Sequence, residues 1–180
     1  MGIVKPYPPV VLLCGLLGRF EDALGEGEKR LTAAFGPISL RSELMDFTAT
    51  AYYREEMGDG LKRIFLAFEK PFDPAALAHA KHTTNRLETE IAASGRWPAE
   101  RPVNIDPGYV ALSKLVLATT KDYSHRIPIG DGMFAEVTLR YTNGGWQAWP
   151  WTYPDYRLPA YHAFLTAARQ SLLPGGTLSS

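Results

Sequence analysis

Val10-Val11-Leu12-Leu13-Cys14-Gly15-Leu16-Leu17 is a continuous apolar run, with Pro6, Pro8 and Pro9 before it and Arg19 after it. It is far shorter than the roughly 20 residues a membrane-crossing helix needs, and its flanks lack a signal-peptide cleavage pattern. The run therefore reads as a strand buried on both faces. Such a strand needs cover on either side, and the neighbouring segments supply it.

Immediately downstream, Phe20, Ala23, Leu24, Gly27, Leu31, Ala34 and Phe35 recur at spacings of three and four. That is the stripe of an amphipathic helix over 20–35, which Gly36-Pro37 stops. From Ile38 to Tyr53 the pattern turns to alternation, with Phe47, Ala49, Ala51 and Tyr53 set against Thr48, Thr50 and Tyr52. Gly58-Asp59-Gly60 then turns the chain into a strand over 62–68, with Ile64, Leu66 and Phe68 on one face, and the two segments read as a hairpin. Asp73-Pro74 places a capping carboxylate before a first-turn proline and predicts a helix to about Ala93. Val103 and Ile105 mark a short strand that Pro107-Gly108 is expected to end.

The order strand, helix, strand, strand, helix, strand implies an α+β fold with a ferredoxin-like βαββαβ core. Its two helices are expected side by side on one face of an antiparallel sheet. Further strands over 115–121, 126–129, 133–141 and 146–151 follow, the last two joined by Asn143-Gly144-Gly145, and a final helix covers about 159–173. These C-terminal antiparallel strands and the final helix are additions to the core. With no repeat and no linker, residues 1–180 read as a single domain, with loosely ordered ends at 1–9 and 174–180.

Composition narrows the partners. Nineteen basic and nineteen acidic side chains cancel, so no global positive field draws the chain to a phosphate backbone or an anionic membrane. Non-specific nucleic-acid binding and membrane association are not expected. The single cysteine, Cys14, has no disulfide partner, lies on the apolar run and reads as buried and inert. Position 6 is Pro, which argues against myristoylation at Gly2, and the expected location is cytoplasmic. There is no GxxxxGK[ST], GxGxxG after the first strand, GxSxG, HExxH or paired CxxC.

Several polar residues stand out. Lys81, Asn85 and Glu88 form a strip on the second helix, Lys81 and Glu88 projecting to nearly one side about 10 Å apart. Charged stems that edge a buried face would look the same. Asn104 and Asp106 alternate with Val103 and Ile105 and so share a face, though Asp106 before a turn can also cap backbone amides. Met133, Ala135, Val137, Leu139 and Tyr141 make one apolar face, leaving Glu136 with Phe134, Thr138 and Arg140 on the other. If that face meets solvent Glu136 keeps the sheet soluble; if it is covered the carboxylate needs a partner or a ligand. The stretch from Thr119 to Arg126 is the densest polar cluster, with Lys121, Asp122, His125 and Arg126 between two strands. Trp146, Trp149, Trp151, Tyr153 and Tyr156 could stack bases or fill a seam of the core.

Taken together, Tyr52 to Gly58, Lys62-Arg63, Lys81 with Thr84 to Glu88, Asn104 to Tyr109, Lys114 to Arg126, Ala135 to Leu139 and Trp151 to Tyr156 resemble an uncharacterised bacterial family, domain of unknown function 4416. The likeness runs almost from Leu12 to Arg169, and Pro128 departs from the aromatic residue expected there. The resemblance implies a family label and carries no reaction, ligand or catalytic residue with it.

The residues themselves point to a charged cleft for a small anionic, phosphate-bearing ligand such as a nucleotide. Lys62, Arg63, Lys121 and Arg126 are the expected anion donors, and Glu56, Asp106 and Glu136 the candidate acids, bases or Mg²⁺ ligands. Lys81, Asn85, Glu88, Asn104 and Asp122 complete the candidate binding set, and His125 is the proton shuttle if the site is catalytic. The alternative is a non-catalytic module that binds single-stranded RNA or a protein partner through the sheet face and the Trp/Tyr-rich end.

Overall fold

The computed structural model describes residues 2–48 and 53–176. Strand β1 (Val10–Gly18) is buried along its whole length. It lies between β4 (Lys62–Phe72) and β5 (Val103–Ala111), antiparallel to both. Helix α1 (Glu21–Phe35) leads to the short strands β2 (Ile38–Arg41) and β3 (Met45–Asp46), which both pair with β4, and a one-turn helix α2 (Arg54–Met57) precedes β4. Ala49, Thr50, Ala51 and Tyr52 of the expected alternating strand lie outside the described residues. Helix α3 (Leu77–Ala93) follows β4 after a single 3₁₀ turn, whose first free amide, Ala75 N–H, donates to the Asp73 carboxylate at 2.9 Å.

Beyond β5 come β6 (Lys114–Thr119), β7 (Ile127–Gly130), β8 (Met133–Thr142) and β9 (Gly145–Ala148), then helix α4 (Pro159–Gln170). Among the described residues the strands form one nine-stranded sheet in the order β2-β4-β1-β5-β6-β8-β7, with β3 added on β4 and β9 on β8. Every pairing is antiparallel. Asn143 and Gly144, both at positive φ (51° and 79°), make the β8–β9 turn, the conformation that suits a tight hairpin.

Side-chain alternation along β1 divides the interior into two layers. Leu12, Cys14 and Leu16 face α1 and α3, packing with Leu24, Leu31, Ile64, Leu87 and Ile91. The two helices share this face as expected, and Arg30 of α1 meets Glu90 of α3 at 2.9 Å. Val11 and Leu13 point the other way and meet Phe65, Tyr161, Phe164 and Leu165 under α4. Burying a Leu or Phe is worth about 1.5–3 kcal/mol each, so both layers hold the sheet.

Two expectations are corrected. Pro107-Gly108 does not turn the chain, because β5 runs through both residues to Ala111. Gly108 instead lets two backbones close, since a Cβ there would sit inside contact distance of the Val116 carbonyl oxygen on β6. Gly108→Ala is accordingly expected to cost about 1–3 kcal/mol by forcing the strands apart, read as a lower urea midpoint at unchanged slope.

The second correction concerns β8. Its apparent single apolar face is broken by a bulge: Val137 opposes Val116 while Leu139 opposes Leu115, leaving Thr138 as an extra residue. Ala135 and Val137 therefore pack on the α3 side with Leu77, Val116 and Ala118, while Leu139 packs under α4. Glu136, opposite Leu117, falls on the α4 side and is 3% exposed.

Candidate functional site

Strand β5 leaves β6 at Pro107. The pairing with β6 starts only at Gly108, opposite Leu117. Alternate residues aim their amides at the same edge, and Pro107, in phase with Ile105, has no N–H to offer there, so the ladder stops. Helix α3 fills the vacated edge with side chains. Ile105 N–H donates to Glu88 Oε1 at 2.7 Å, and Lys81 Nζ donates to Ile105 O at 3.1 Å and to Asp106 Oδ1 at 3.2 Å. Lys81 and Glu88 of the strip read on α3 thus stand in for a missing strand.

The network continues outward. Arg101 Nη2 and Nε grip Glu88 Oε2 at 2.7 and 3.1 Å, Arg101 also donates to Asn104 Oδ1, and Asn104 Nδ2 donates to Asp106 Oδ2 at 2.7 Å. Burial pushes the Glu88 carboxyl up despite Arg101 and Lys81. Burial would raise Asp106 too, but Lys81 and Arg63 beside it prevail and hold it below the usual aspartate range. With its side chain 27% exposed, Asp106 is an ionised group in contact with solvent.

Behind Asp106 lies Arg63, 3% exposed on β4. Its Nη1 stands 3.9 Å from Asp106 Oδ2 and its Nη2 3.6 Å from Asp155 Oδ2, beyond hydrogen-bond length. Nε and Nη1 have no hydrogen-bond partner among the described residues, nor have the hydroxyls of Tyr156 and Tyr161. The guanidinium fits because residue 15 is glycine: a Cβ there would come within 3.1 Å of Nη1. Burial raises the Asp155 carboxyl, with Arg63 opposing. Asp155 and Gly15 were not legible as site residues. The available signal for Gly15 was a glycine inside an otherwise unbroken apolar strand, which marks close approach.

The covered side of β8 carries a second node. Glu136 Oε2 accepts from Arg126 Nε at 2.9 Å and from His125 Nε2 at 3.2 Å, while Thr138 Oγ1 donates to Oε1 at 3.1 Å. Arg126 spends its other nitrogens on Lys121 O (2.9 Å) and Tyr153 Oη (2.7 Å). Burial raises the Tyr153 phenol, with the charge of Glu136 adding to the effect and Arg126 opposing it. Above them the rings of Tyr123, His125, Trp151 and Trp149 stack in a column, centroids 6.1, 5.2 and 5.2 Å apart and planes within 15°. Arg126 caps Tyr123 at 4.5 Å and Arg140 caps Trp149 at 4.6 Å.

The expected residues therefore divide. Arg63, Lys81, Glu88, Asn104 and Asp106 join one network; His125, Arg126 and Glu136 join the other. Lys62 is turned to the face opposite Arg63 and pairs with the exposed Asp46. Glu56 is exposed and reaches Arg101 only at 3.5 Å. Together with Asn85, Glu88 and Arg101 it lines an open groove of about 490 Å³ beside α3. Lys121 and Asp122 are exposed on the β6–β7 connection, Lys121 contributing its carbonyl to Arg126.

No curated protein and no solved structure matches the chain. A family model does: residues 8–172, which hold both nodes and every strand of the sheet, match the domain of unknown function DUF4416, and the chain belongs to that family.

Proposed function

We propose that this chain binds a small anionic, phosphate-bearing ligand, such as a nucleotide, at the charged gap where β5 parts from β6. The observation that carries this reading is Arg63, a buried guanidinium with two nitrogens that make no hydrogen bond among the described residues. An unsatisfied buried donor costs about 1–3 kcal/mol, and a phosphate oxygen is the acceptor its planar fork suits best. Asp106 gives the gap its solvent-facing edge, with Lys81 paired to it and Arg101 paired to Glu88 close by. No group of three or more His, Cys, Asp or Glu among the described residues is placed to hold a metal ion. Mg²⁺ would accordingly arrive with the phosphate, carried mainly by its oxygens.

The strand order β2-β4-β1-β5 with α1 and α3 on one face supports a ferredoxin-like core extended by β6 to β9 and α4. Two helix layers on one sheet support a single domain. A lone buried thiol, Cys14, supports a reducing, cytoplasmic setting, and no helix among the described residues is long and apolar enough to cross a membrane. The single-stranded RNA alternative draws less support, because the stacked faces of His125 and Trp151 are already taken by neighbouring rings and base stacking needs a free face.

The test is a thermal-shift series with nucleoside diphosphates and sugar phosphates, with and without Mg²⁺. A binder at 100 times its Kd should stabilise the protein by about 2.7 kcal/mol. Arg63→Lys, which keeps the charge but not the fork, should lose most of that shift, and Lys62→Ala should keep it. No shift with any phosphate at millimolar concentration defeats the proposal.

A further inference from the structure

We propose that His125 is a proton acceptor that activates water, held by Glu136 in the tautomer that leaves its Nδ1 lone pair bare. The inference is independent of the Arg63 reading, since it rests on the second node alone.

Glu136 is 3% exposed and its carboxylate can only accept hydrogen bonds. Oε2 already takes Arg126 Nε at 2.9 Å, so the contact at 3.2 Å requires His125 Nε2 to carry the proton. In the neutral imidazole Nδ1 then holds the lone pair. Nδ1 has no partner among the described residues, and the side chain is 19% exposed, so that edge reaches solvent. The ring plane is clamped between Tyr123 and Trp151, at 8° and 15°. Trp151 is itself fixed by donating its Nε1–H to Val137 O at 3.1 Å. A base oriented by a buried carboxylate that is in turn held by an arginine is the arrangement by which imidazoles take protons from oxygen nucleophiles. The other histidines differ: His79 is exposed on α3, and His82 and His162 set Nε2 against the backbone carbonyls of Asp131 and Tyr156, which carry no charge to meet an imidazolium.

With an ester as acceptor the step balances. Nδ1 takes one proton of water while the released O–H pair forms the bond to the carbonyl carbon. The carbonyl π pair moves to oxygen and returns to expel the alkoxide. The imidazolium, opposite Glu136, hands its proton to the leaving oxygen.

The probe is 4-nitrophenyl acetate, a small ester that needs no binding pocket of its own. His125→Gln should hydrolyse it at least tenfold more slowly than wild type, the lower range for a positioned base being about a hundredfold, while His82→Gln and His162→Gln should match wild type. Independently, long-range ¹H–¹⁵N spectra of the wild-type protein should show neutral His125 protonated at Nε2. Its signals are assigned by their loss in His125→Gln or, should that variant fail to fold, by contacts from the Trp151 ring protons. An Nδ1-protonated His125, or hydrolysis by folded His125→Gln equal to wild type, overturns the proposal.

Discussion

Glu136→Leu should lower stability by about 3–5 kcal/mol, measured as a fall in the urea midpoint. Its carboxylate and the Arg126 guanidinium are both 2% exposed and meet at 2.9 Å. Neither can turn to water when the other is removed, and an uncompensated buried charge is what makes the loss large. Arg126→Met should cost a similar amount, leaving the carboxylate with His125 and Thr138 among the described residues. The double variant Glu136→Leu/Arg126→Met should recover most of either loss, because an apolar pair of similar volume removes both charges at once. A double variant as weak as the singles would show that packing around the bulge, rather than the charge pair, carries the effect. Glu136 is therefore a structural anchor on which His125 rests, and a change at Glu136 is a poor probe of chemistry at His125.

What the sequence made legible followed from periodicity. Strand β1, helices α1 and α3 and the Asn143-Gly144 turn each have a local pattern with few competing readings, and all were found. Pro107 was misread because proline carries two local meanings, a turn or the end of a ladder. Only the presence of β6 on one flank and α3 on the other selects the second. The bulge at Thr138 left no trace at all. The alternation from Met133 to Tyr141 is unbroken, and the extra residue appears only when the strand is matched against Leu115 and Val116.

The same limit governed the site. Lys62 and Arg63 look equivalent as adjacent cations, yet the alternation that put Ile64, Leu66 and Phe68 on one face already assigned them to opposite sides. That consequence separates a surface pair with Asp46 from the buried guanidinium. Glu136 was legible as a carboxylate in need of cover, but its partners come from a connection, 121–126, whose path no periodicity predicts. Asp155 gave no signal, because a 3₁₀ turn in an aromatic-rich loop has no repeating pattern to violate.

Arg63→Met should cost about 2–4 kcal/mol at neutral pH, and the cost should shrink as the solution is acidified. The magnitude follows from removing the one cation that pairs with Asp155 among the described residues, Asp155 being 7% exposed in its side chain, offset in part by relief of two unsatisfied N–H groups. The pH dependence follows from Asp155. Burial already raises its folded pKa above the ordinary aspartate value of 3.8, with Arg63 opposing, and loss of Arg63 removes the opposition. A carboxyl raised in the folded state is protonated there first, so the native state gains protons ahead of the unfolded chain and stability rises as pH falls through the folded pKa toward 3.8. Asp106 has the opposite sign. Its lowered carboxyl contributes stability that is present above the unfolded value and is lost only as pH falls through the lower folded one, and in the variant it still has Lys81 and Asn104. Above the ordinary value of 3.8 the Asp155 effect dominates the difference between the two proteins, so the urea midpoints of wild type and Arg63→Met should converge as pH falls from 7 toward 3.8. Arg63→Met/Asp155→Asn should be nearly as stable as wild type at pH 7 and should lose that convergence. A gap that stays constant with pH would mean that Asp155 is not the carboxylate Arg63 neutralises.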